Sequence, residues 1–289
     1  MQISGTTKLL GLLGTPVAHS KSPAMYNYCF RKYGLDWAYL AFDVAQAQVG
    51  AAVSAIRTLS MRGANVTMPC KTAVIPYLDR LTPAAEAIQA VNTIVNENGV
   101  LVGHNTDGSG YTRNLLRGGV DVKGKKIVLL GGGGAASAIA IQAALEGAAE
   151  IAIFNLRDAF WSQIAQRVKV IGQAAPSCIL SLHDLADTAT LRRAIERCDI
   201  LSNATRVGMA PNVEDTMIPD ISWFRPELVV TDVIYAPPCT RLLQDAKAAG
   251  CQIFDGLGML LCQGAEAFRL YSGLEMPVQE IRELLYERL

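Results

Sequence analysis

Short apolar runs alternate with helical patterns along the first hundred residues of this 289-residue chain. The strand-like runs cover residues 9–13, 38–44 and 64–68. Such alternation is typical of a mostly parallel sheet covered by helices. A helix is expected to begin with Ser22 as its N-cap and Pro23 at its first position, and to end at Gly34. Asn98-Gly99 predicts a hairpin between two antiparallel strands.

A second alternation follows a connecting helix expected at residues 110–117. Its six strand-like runs cover residues 127–130, 151–154, 178–182, 200–203, 228–233 and 252–254. Six strands with intervening helices fit a Rossmann-type, doubly wound parallel sheet. From Asp255 onward the pattern is helical, and these closing helices are expected to return to the first domain. The prediction is an α/β fold with a mixed, mostly parallel N-terminal domain (residues 1–109 plus 259–289) and a C-terminal Rossmann-type domain (residues 110–258).

Composition restricts the class of protein. The 26 Lys and Arg residues balance 26 Asp and Glu residues, which argues against a broad surface for nucleic acid or anionic lipid. The seven cysteines are scattered without a Cys-x-x-Cys pair, so reduced thiols in a cytoplasmic protein are expected. No secretory signal is recognisable, and four glycines interrupt the longest apolar stretch, residues 127–145, which argues against a membrane span. A small-molecule substrate is therefore expected.

A glycine-rich turn separates the first apolar strand of the second domain from an Ala-rich helix. It matches the dinucleotide fingerprint G-x-G-x-x-A, in which Gly131 permits the tight turn and Gly133 lets the backbone approach a pyrophosphate. Ala136 allows close packing of helix on strand, and the helix N-terminus supplies amides for the anion. The alternative, a glycine-rich turn without a ligand, is less favoured in this context. The predicted cofactor loop comprises Gly131, Gly132, Gly133, Gly134, Ala135 and Ala136.

A polar cluster, Asn155-Leu156-Arg157-Asp158, follows the second strand of this domain, where Rossmann-type folds contact the adenosine ribose. Asp158 can accept hydrogen bonds from the ribose hydroxyls, and its charge repels a 2′-phosphate. Arg157 would attract one, unless it is an ordinary surface cation. NAD is therefore the expected cofactor, with NADP as the alternative.

Oxidation of an alcohol by such a cofactor needs a group that removes the hydroxyl proton. The three histidines and the cysteines show no ligand spacing, so a zinc site is not expected. Lys71 follows Pro69 at a predicted helix start, where the helix dipole disfavours a charged amine, and a nearby Asp107 would favour it. If the two side chains meet, they titrate as a pair. The alternative is a structural Lys-Asp salt bridge.

Five motifs together resemble the shikimate and quinate dehydrogenase family along essentially the whole chain. They are His19-Ser20-Lys21-Ser22-Pro23, Asn65-Val66-Thr67-Met68-Pro69-Cys70-Lys71, Ala90-Val91-Asn92-Thr93, Asn105-Thr106-Asp107-Gly108 and Met259-Leu260-Leu261-Cys262-Gln263-Gly264-Ala265. The Asn-Leu-Arg-Asp cluster is similar to the NAD-using quinate/shikimate branch, whereas the NADP-specific branch has Asn-Arg-Thr or Asn-Arg-Ser there. Cys70 stands where many relatives carry Phe or Asn, and a small buried filler is expected.

The resemblance implies roles for individual residues. Ser20 and Ser22 would bind the substrate carboxylate, and Lys71 and Asp107 would flank the reacting hydroxyl as catalytic residues. The other implied substrate contacts are Thr67, Asn92 and Gln263, on the ring hydroxyls, with Tyr39 and Tyr235 as further pocket members or else as core aromatics. Beyond the glycine loop, the implied cofactor contacts are Asn155, Arg157, Asp158, Thr205, Arg206, Met209, Val233, Gly256 and Gly258.

The activity implied is the reversible, metal-free oxidation of shikimate to 3-dehydroshikimate, or of quinate to 3-dehydroquinate, with NAD(P). One alternative is a non-catalytic sensor that binds quinate or shikimate and controls a partner, although such a protein need not keep Lys71 and Asp107. Another two-domain dehydrogenase is less favoured, because the Ser-x-Ser and terminal Gln motifs do not support it. No nucleic-acid or membrane partner is expected. The sequence leaves the oligomeric state open, a homodimer among the alternatives.

Overall fold

The protein forms two compact units, as seen in a computed structural model that describes residues 3–285. One unit contains the chain up to Thr106 together with the residues from Gln263 on, and the other contains Asp107–Cys262. Each unit has one six-stranded sheet with helices packed on it. The predicted α/β fold with two mostly parallel sheets is confirmed. The boundaries predicted from sequence, after residues 109 and 258, lie a few residues from these divisions.

Twelve strands and eleven α-helices lie in the described residues. The strands are β1 (Lys8–Gly14), β2 (Trp37–Asp43), β3 (Gly63–Val66), β4 (Arg80–Leu81), β5 (Thr93–Glu97), β6 (Val100–His104), β7 (Lys126–Leu130), β8 (Glu150–Asn155), β9 (Ile179–Asp184), β10 (Ile200–Asn203), β11 (Val229–Asp232) and β12 (Gln252–Phe254). The helices are α1 (Ser22–Lys32), α2 (Val49–Thr58), α3 (Cys70–Ala73), α4 (Pro83–Ile88), α5 (Asp107–Arg117), α6 (Gly134–Leu145), α7 (Trp161–Ala174), α8 (Thr188–Arg197), α9 (Arg241–Ala248), α10 (Gly256–Ser272) and α11 (Val278–Leu285).

The sheet of the first unit brings several strand ends to one edge. Its strand order is β2-β1-β3-β5-β6-β4. Strand β1 runs parallel to β2 and β3, whereas β5 runs antiparallel to both β3 and β6. The carboxyl ends of β1, β3 and β6 and the start of β5 therefore meet at the same edge. The predicted hairpin is confirmed, with Asn98 and Gly99 at φ values of 54° and 97° in the turn between β5 and β6.

The sheet of the second unit has the doubly wound order β12-β11-β10-β7-β8-β9, and all neighbouring strands are parallel. The order reverses between β7 and β10, and in such sheets ligands bind at the carboxyl ends of the strands beside this switch point. All six strands predicted for this domain are present. Fully buried side chains on both sides of the sheet, such as Phe154 and Leu201 on one face and Leu129 and Ile200 on the other, give the unit its own core.

From Gln263 on, the closing helices pack within the first unit, as predicted. Glu280 of α11 accepts hydrogen bonds from Lys32 Nζ (2.6 Å) and from the Tyr28 hydroxyl (2.8 Å) of α1. The Arg62 guanidinium, beside the start of β3, donates to the Tyr271 carbonyl of α10 (2.8 Å). These contacts join a segment near the end of the chain to segments near its beginning. The first unit is therefore built from two separate stretches of the sequence.

Helix α1 begins one residue earlier than the sequence suggested. Ser22 is its first helical residue, and Lys21 occupies the N-cap position with helical dihedral angles. The Ser20 hydroxyl accepts a hydrogen bond from the Ser22 N–H (3.2 Å), which explains why the turn is already formed before Ser22. The prediction of Ser22 as N-cap is therefore wrong. The predicted end is confirmed, because Gly34 adopts a φ of +64° directly after the helix.

Other elements also differ from the sequence prediction. The strand expected at 64–68 ends at Val66, because the Thr67 carbonyl accepts the Cys70 N–H (2.9 Å) in a turn. The helix expected at 110–117 starts at Asp107. Strand β4 was not predicted, since two residues cannot show an alternating pattern.

Acid should destabilise the protein through His104, whose Nε2 is buried without a hydrogen-bond partner among the described residues. Burial lowers the pKa of His104, and the charges of Glu97 and Glu266 offset this only in part. As the pH falls below about 6.5, the unfolded chain binds a proton that the folded chain does not, so stability decreases. We expect urea unfolding at pH 7.5 and 5.5 to show a smaller pH dependence for His104→Leu than for the wild type. Equal dependence in both proteins would contradict this role.

Candidate active site

Polar side chains are linked by hydrogen bonds at the edge of the first sheet where β1, β3 and β6 end. Asn65 donates to the Thr93 hydroxyl (3.1 Å), which in turn donates to Asn92 Oδ1 (3.0 Å). The same Asn92 oxygen accepts from the backbone N–H (2.9 Å) and the hydroxyl (3.2 Å) of Thr106. The Thr106 hydroxyl also lies 3.3 Å from Gln263 Oε1. These five residues, here called the Asn92 network, connect β3, β5, the segment after β6, and α10.

The Asn92 network is mostly buried. Exposure ranges from 0% for Thr93 to 7% for Asn65, with Asn92 and Thr106 between them. Buried amides and hydroxyls are stable only when they are hydrogen-bonded, and such bonds restrict their orientation. The structure thus brings together Asn92 and Gln263, two predicted substrate contacts. It adds Asn65, Thr93 and Thr106, which belong to the motifs named above but were not assigned a role from sequence.

Replacing Asn92 by alanine should destabilise the first unit. The substitution removes the oxygen that accepts from Thr93 and from both donor groups of Thr106. A buried donor left without a partner typically costs about 1–3 kcal/mol, and we expect a loss of stability in that range. Thermal and urea unfolding of the purified variant would measure it. A matched Asn212→Ala variant, at an exposed position in the second unit, should unfold like the wild type.

Tyr39 connects the start of α1 to the Asn92 network. Its ring stacks on Tyr26 with centroids 4.5 Å apart, and its hydroxyl donates to Asn65 Oδ1 (2.9 Å). Burial raises the pKa of Tyr39 well above the usual value for a phenol, and a hydrogen bond with Ser22 lowers it in part. Tyr39 is 0% exposed, so the structure fits the core aromatic with a satisfied hydroxyl that the sequence left as an alternative. Its hydroxyl group holds the Asn65 side chain in place.

Lys71 lies on a single helical turn. Helix α3 (Cys70–Ala73) begins directly before Lys71, as the sequence predicted, but it contains only four residues, so its dipole is small. The Lys71 carbonyl accepts the Val91 N–H (2.8 Å), which fixes its backbone beside Asn92. Its neighbour Cys70 is 0% exposed and donates to the Val44 carbonyl (3.3 Å), and burial raises the pKa of the thiol. Cys70 is the buried filler that was predicted, while Thr67 and Lys71 are half-buried.

Asp107 directly follows Thr106 of the Asn92 network and is the first residue of α5. A carboxylate in the first turn of an eleven-residue helix interacts favourably with the helix dipole. Gly108 is buried, and a Cβ atom there would overlap the Ala138 carbonyl of α6, so this close approach of helices requires glycine. Asp107 is half-buried.

The glycine-rich loop of the second unit is held by its neighbours on β8. Gly131 has a φ of +99° and donates to the Phe154 carbonyl (2.7 Å), and Gly132 donates to Asn155 Oδ1 (3.0 Å). Asn155 also donates to the Leu156 carbonyl (2.7 Å). The predicted cofactor residue Asn155 therefore shapes the loop itself.

Gly133 and Gly134 have space in front of them that the protein does not fill. A Cβ atom at either residue would meet no described atom within 4 Å. Gly133 is the N-cap of α6, with no side-chain cap and no acidic residue in the first turn. The N–H groups at this helix start are thus accessible, and with the helix dipole they suit an anionic group such as a pyrophosphate. The loop fits the dinucleotide cofactor that its sequence predicts.

The segment after β8 places Arg157 and Asp158 on the surface. Asp158 Oδ1 accepts the Phe160 N–H (2.9 Å). The Arg157 guanidinium lies over the Trp161 ring, 4.8 Å from its centroid, and its Nε atom is 3.3 Å from Asp184 Oδ2 at the end of β9. Arg157 is exposed but paired, so it is not simply a solvated cation.

A buried carboxylate that sequence reasoning missed organises the loops after β10 and β11. Asp232 is 3% exposed and accepts from Asn203 Nδ2 (3.1 Å to each oxygen), the Ile234 N–H (2.9 Å) and the Thr240 hydroxyl (2.7 Å). Burial raises its pKa. Asn203 in turn accepts from the N–H (2.9 Å) and hydroxyl (2.8 Å) of Thr205. The register partners Asn203 and Asp232 thereby fix both loops.

The remaining predicted contacts lie on these loops and at the start of α10. Arg206, Met209 and Tyr235 are exposed, which rules out the core alternative for Tyr235, and Val233 is half-buried. Gly256 and Gly258 are buried, and a Cβ atom would overlap Val233 or Asn114, respectively. Packing alone therefore accounts for glycine at these two positions.

No group of three or more His, Cys, Asp or Glu side chains within residues 3–285 is placed to hold a metal ion. None of the helices in that range is both long and apolar enough to cross a membrane. All seven cysteines are free thiols.

Comparison with known proteins gives consistent matches. Residues 12–94 match the family model "Shikimate dehydrogenase substrate binding domain", and residues 256–286 match "Shikimate 5'-dehydrogenase C-terminal domain". The chain is 48% identical over 285 residues to shikimate dehydrogenase (NADP(+)) of Listeria monocytogenes serotype 4b (strain F2365), covering 99% of this chain and 98% of that protein.

Two solved structures extend the comparison. Shikimate 5-dehydrogenase from Listeria monocytogenes, in complex with shikimate and NAD, has a TM-score of 0.95 at 48% identity and covers 99% of both chains. Quinate dehydrogenase from Corynebacterium glutamicum, in complex with NAD, has a TM-score of 0.84 at 32% identity and covers 97% of this chain and 99% of that one. The resemblance seen in the five motifs is confirmed, and this chain belongs to the shikimate dehydrogenase family.

Proposed function

We propose that this protein catalyses the reversible NAD(P)-dependent oxidation of shikimate to 3-dehydroshikimate. The observation that carries the proposal is the Asn92 network, a connected set of neutral amides and hydroxyls beside the backbone of Lys71. Neutral hydrogen-bonding groups suit the hydroxyls of a polyol ring. The relative named shikimate dehydrogenase and the structure with bound shikimate support the same substrate.

Each predicted substrate residue has a role in this proposal. Ser20 and Ser22, at the start of α1, bind the carboxylate of the substrate, and Thr67, Asn92 and Gln263 bind its ring hydroxyls. Lys71 and Asp107 act together on the hydroxyl that is oxidised, and they hold or move its proton. Tyr39 keeps Asn65 in place, and Tyr235 is an exposed further contact.

The nicotinamide dinucleotide, when bound, supplies the hydride acceptor. Gly131–Ala136 and the start of α6 would hold its pyrophosphate, and Asp158 would accept hydrogen bonds from its adenosine ribose. Thr205, Arg206, Met209 and Val233 belong to the loops that Asn203 and Asp232 position. We expect a preference for NAD, because Asp158 is exposed beside Arg157 and that arginine is already paired. The relative named for NADP(+) supports the alternative.

The test is the formation of reduced nicotinamide by the purified protein with shikimate or quinate and with NAD or NADP. Comparing kcat/KM for the four pairs gives the substrate and cofactor preferences separately. Turnover of shikimate with either cofactor supports the proposal, and higher kcat/KM with NAD supports the preference argued from Asp158. Higher kcat/KM with NADP would reverse that preference and leave the reaction unchanged.

Quinate oxidation is a second proposed activity, supported by the similarity to a quinate dehydrogenase. If the protein binds shikimate or quinate in calorimetry but turns over neither, the proposed reaction is wrong and the alternative of a non-catalytic sensor is favoured. The cytoplasmic location and the homodimer remain predictions. Size-exclusion chromatography with light scattering would test the latter.

A further inference from the structure

Asp184 occupies a fixed position beside the residues that follow β8. It ends β9, and its register partner on β8 is Asn155, whose side chain holds the glycine loop. Asp184 Oδ1 accepts the Ala186 N–H (3.0 Å), so the carboxylate is oriented by the backbone of its own turn. Its other oxygen lies 3.3 Å from Arg157 Nε.

The Arg157 side chain has two partners and still faces solvent. Its side chain is 69% exposed, against 29% for that of Asp184. The guanidinium lies over the Trp161 ring, and the carboxylate of Asp184 lies beside Nε. The Asp184 charge therefore compensates the only cation in the Asn155–Asp158 segment, where an adenosine ribose would bind.

We propose that Asp184 is a specificity-determining residue that disfavours a 2′-phosphate on the cofactor. This inference rests on the proposed dinucleotide site. Asp184 acts through Arg157: while the two side chains are paired, the charge of the arginine is compensated. A 2′-phosphate, which carries more than one negative charge, would have to compete with Asp184 for that guanidinium. A cofactor without the 2′-phosphate does not compete with Asp184 for Arg157.

The test compares Asp184→Asn with the wild type in binding of ADP-ribose and of 2′-phospho-ADP-ribose, measured by calorimetry. Asparagine keeps the size of the side chain and can still accept from Ala186. We expect the ratio of affinities to shift toward the 2′-phosphorylated ligand by about three- to fivefold, as for one exposed charge pair. The affinity for ADP-ribose should stay unchanged, and the shift should shrink in high salt.

Two further variants isolate the role of Arg157. In Arg157→Gln/Asp184→Asn the shift should be lost, because the freed cation is absent. Asp245→Asn removes a carboxylate that is paired with Arg241 on α9 (2.9 Å), so it matches the change in net charge at another site, and it should leave the ratio unchanged.

Three results would overturn the inference. They are an unchanged ratio in Asp184→Asn, the same shift in the double variant, and the same shift in Asp245→Asn. Failure of the proposed function looks different, because the wild type would then bind neither probe, or bind both without oxidising shikimate. If the wild type binds neither probe, the dinucleotide site that the inference requires is absent. If it binds both probes without oxidising shikimate, the ratio of their affinities still tests the role of Asp184.

Discussion

Replacing Lys71 by methionine should lower kcat for shikimate oxidation by at least about 100-fold, the lower range for loss of a general acid–base group. Methionine is similar in length to the apolar stem of lysine, so the substitution should remove the amine without leaving a cavity. Asp107→Asn should have a comparable effect. Because the two groups are proposed to act as one unit, the double variant should be little worse than either single variant. Steady-state kinetics with saturating shikimate would measure all three.

The control for this experiment is Lys247→Met in α9 of the second unit, which should retain wild-type kcat. Far-ultraviolet circular dichroism and thermal unfolding should show that Lys71→Met and Asp107→Asn are folded. A folded Lys71→Met variant with kcat within a fewfold of the wild type would exclude the proposed mechanism. The structural salt bridge considered as the alternative would then be the better explanation of the lysine.

Replacing Gly133 by threonine should raise the KM for the cofactor by about 5- to 150-fold, with little change in stability. The protein leaves the Cβ position open, so a ligand and not the fold would meet the new side chain. Overlap of this kind costs about 1–3 kcal/mol, which corresponds to roughly 5- to 150-fold in affinity. Threonine is as good an N-cap as glycine, so α6 itself should keep its stability. Cofactor titrations by fluorescence and urea unfolding would measure the two effects separately.

Gly172→Thr near the end of α7 is the matched control, because a Cβ atom there also meets no described atom within 4 Å. It should leave the cofactor KM unchanged and stabilise α7 by a few tenths of a kcal/mol, since threonine forms helices better than glycine. An unchanged cofactor KM in Gly133→Thr would mean that no pyrophosphate approaches this loop. Together with the Lys71 variants, this experiment separates loss of chemistry from loss of cofactor binding.

Much of the fold could be predicted because its signals are local. The Asn98-Gly99 turn, the end of α1 at Gly34 and the Gly131–Ala136 turn each depend on dihedral angles within a few residues. The six strands of the second unit were recognisable because parallel strands buried on both faces are continuous apolar runs. Boundaries were less accurate where a side chain decides them, as Ser20 does at the start of α1.

The sequence by itself determined the family and the residues that we propose for the chemistry. Lys71, Asp107 and the glycine loop stand in motifs whose order along the chain identifies the family. The tertiary structure decided which side chains hold those residues in place. Thr106 lies beside Gln263, which is 157 positions further along the chain. Arg157, which follows β8, pairs with Asp184 at the end of the neighbouring strand β9. Asp232 and Asn203 become partners only because β10 and β11 are adjacent. Local propensity acts over a few residues, whereas these hydrogen bonds depend on strand order and helix packing, which no short segment encodes.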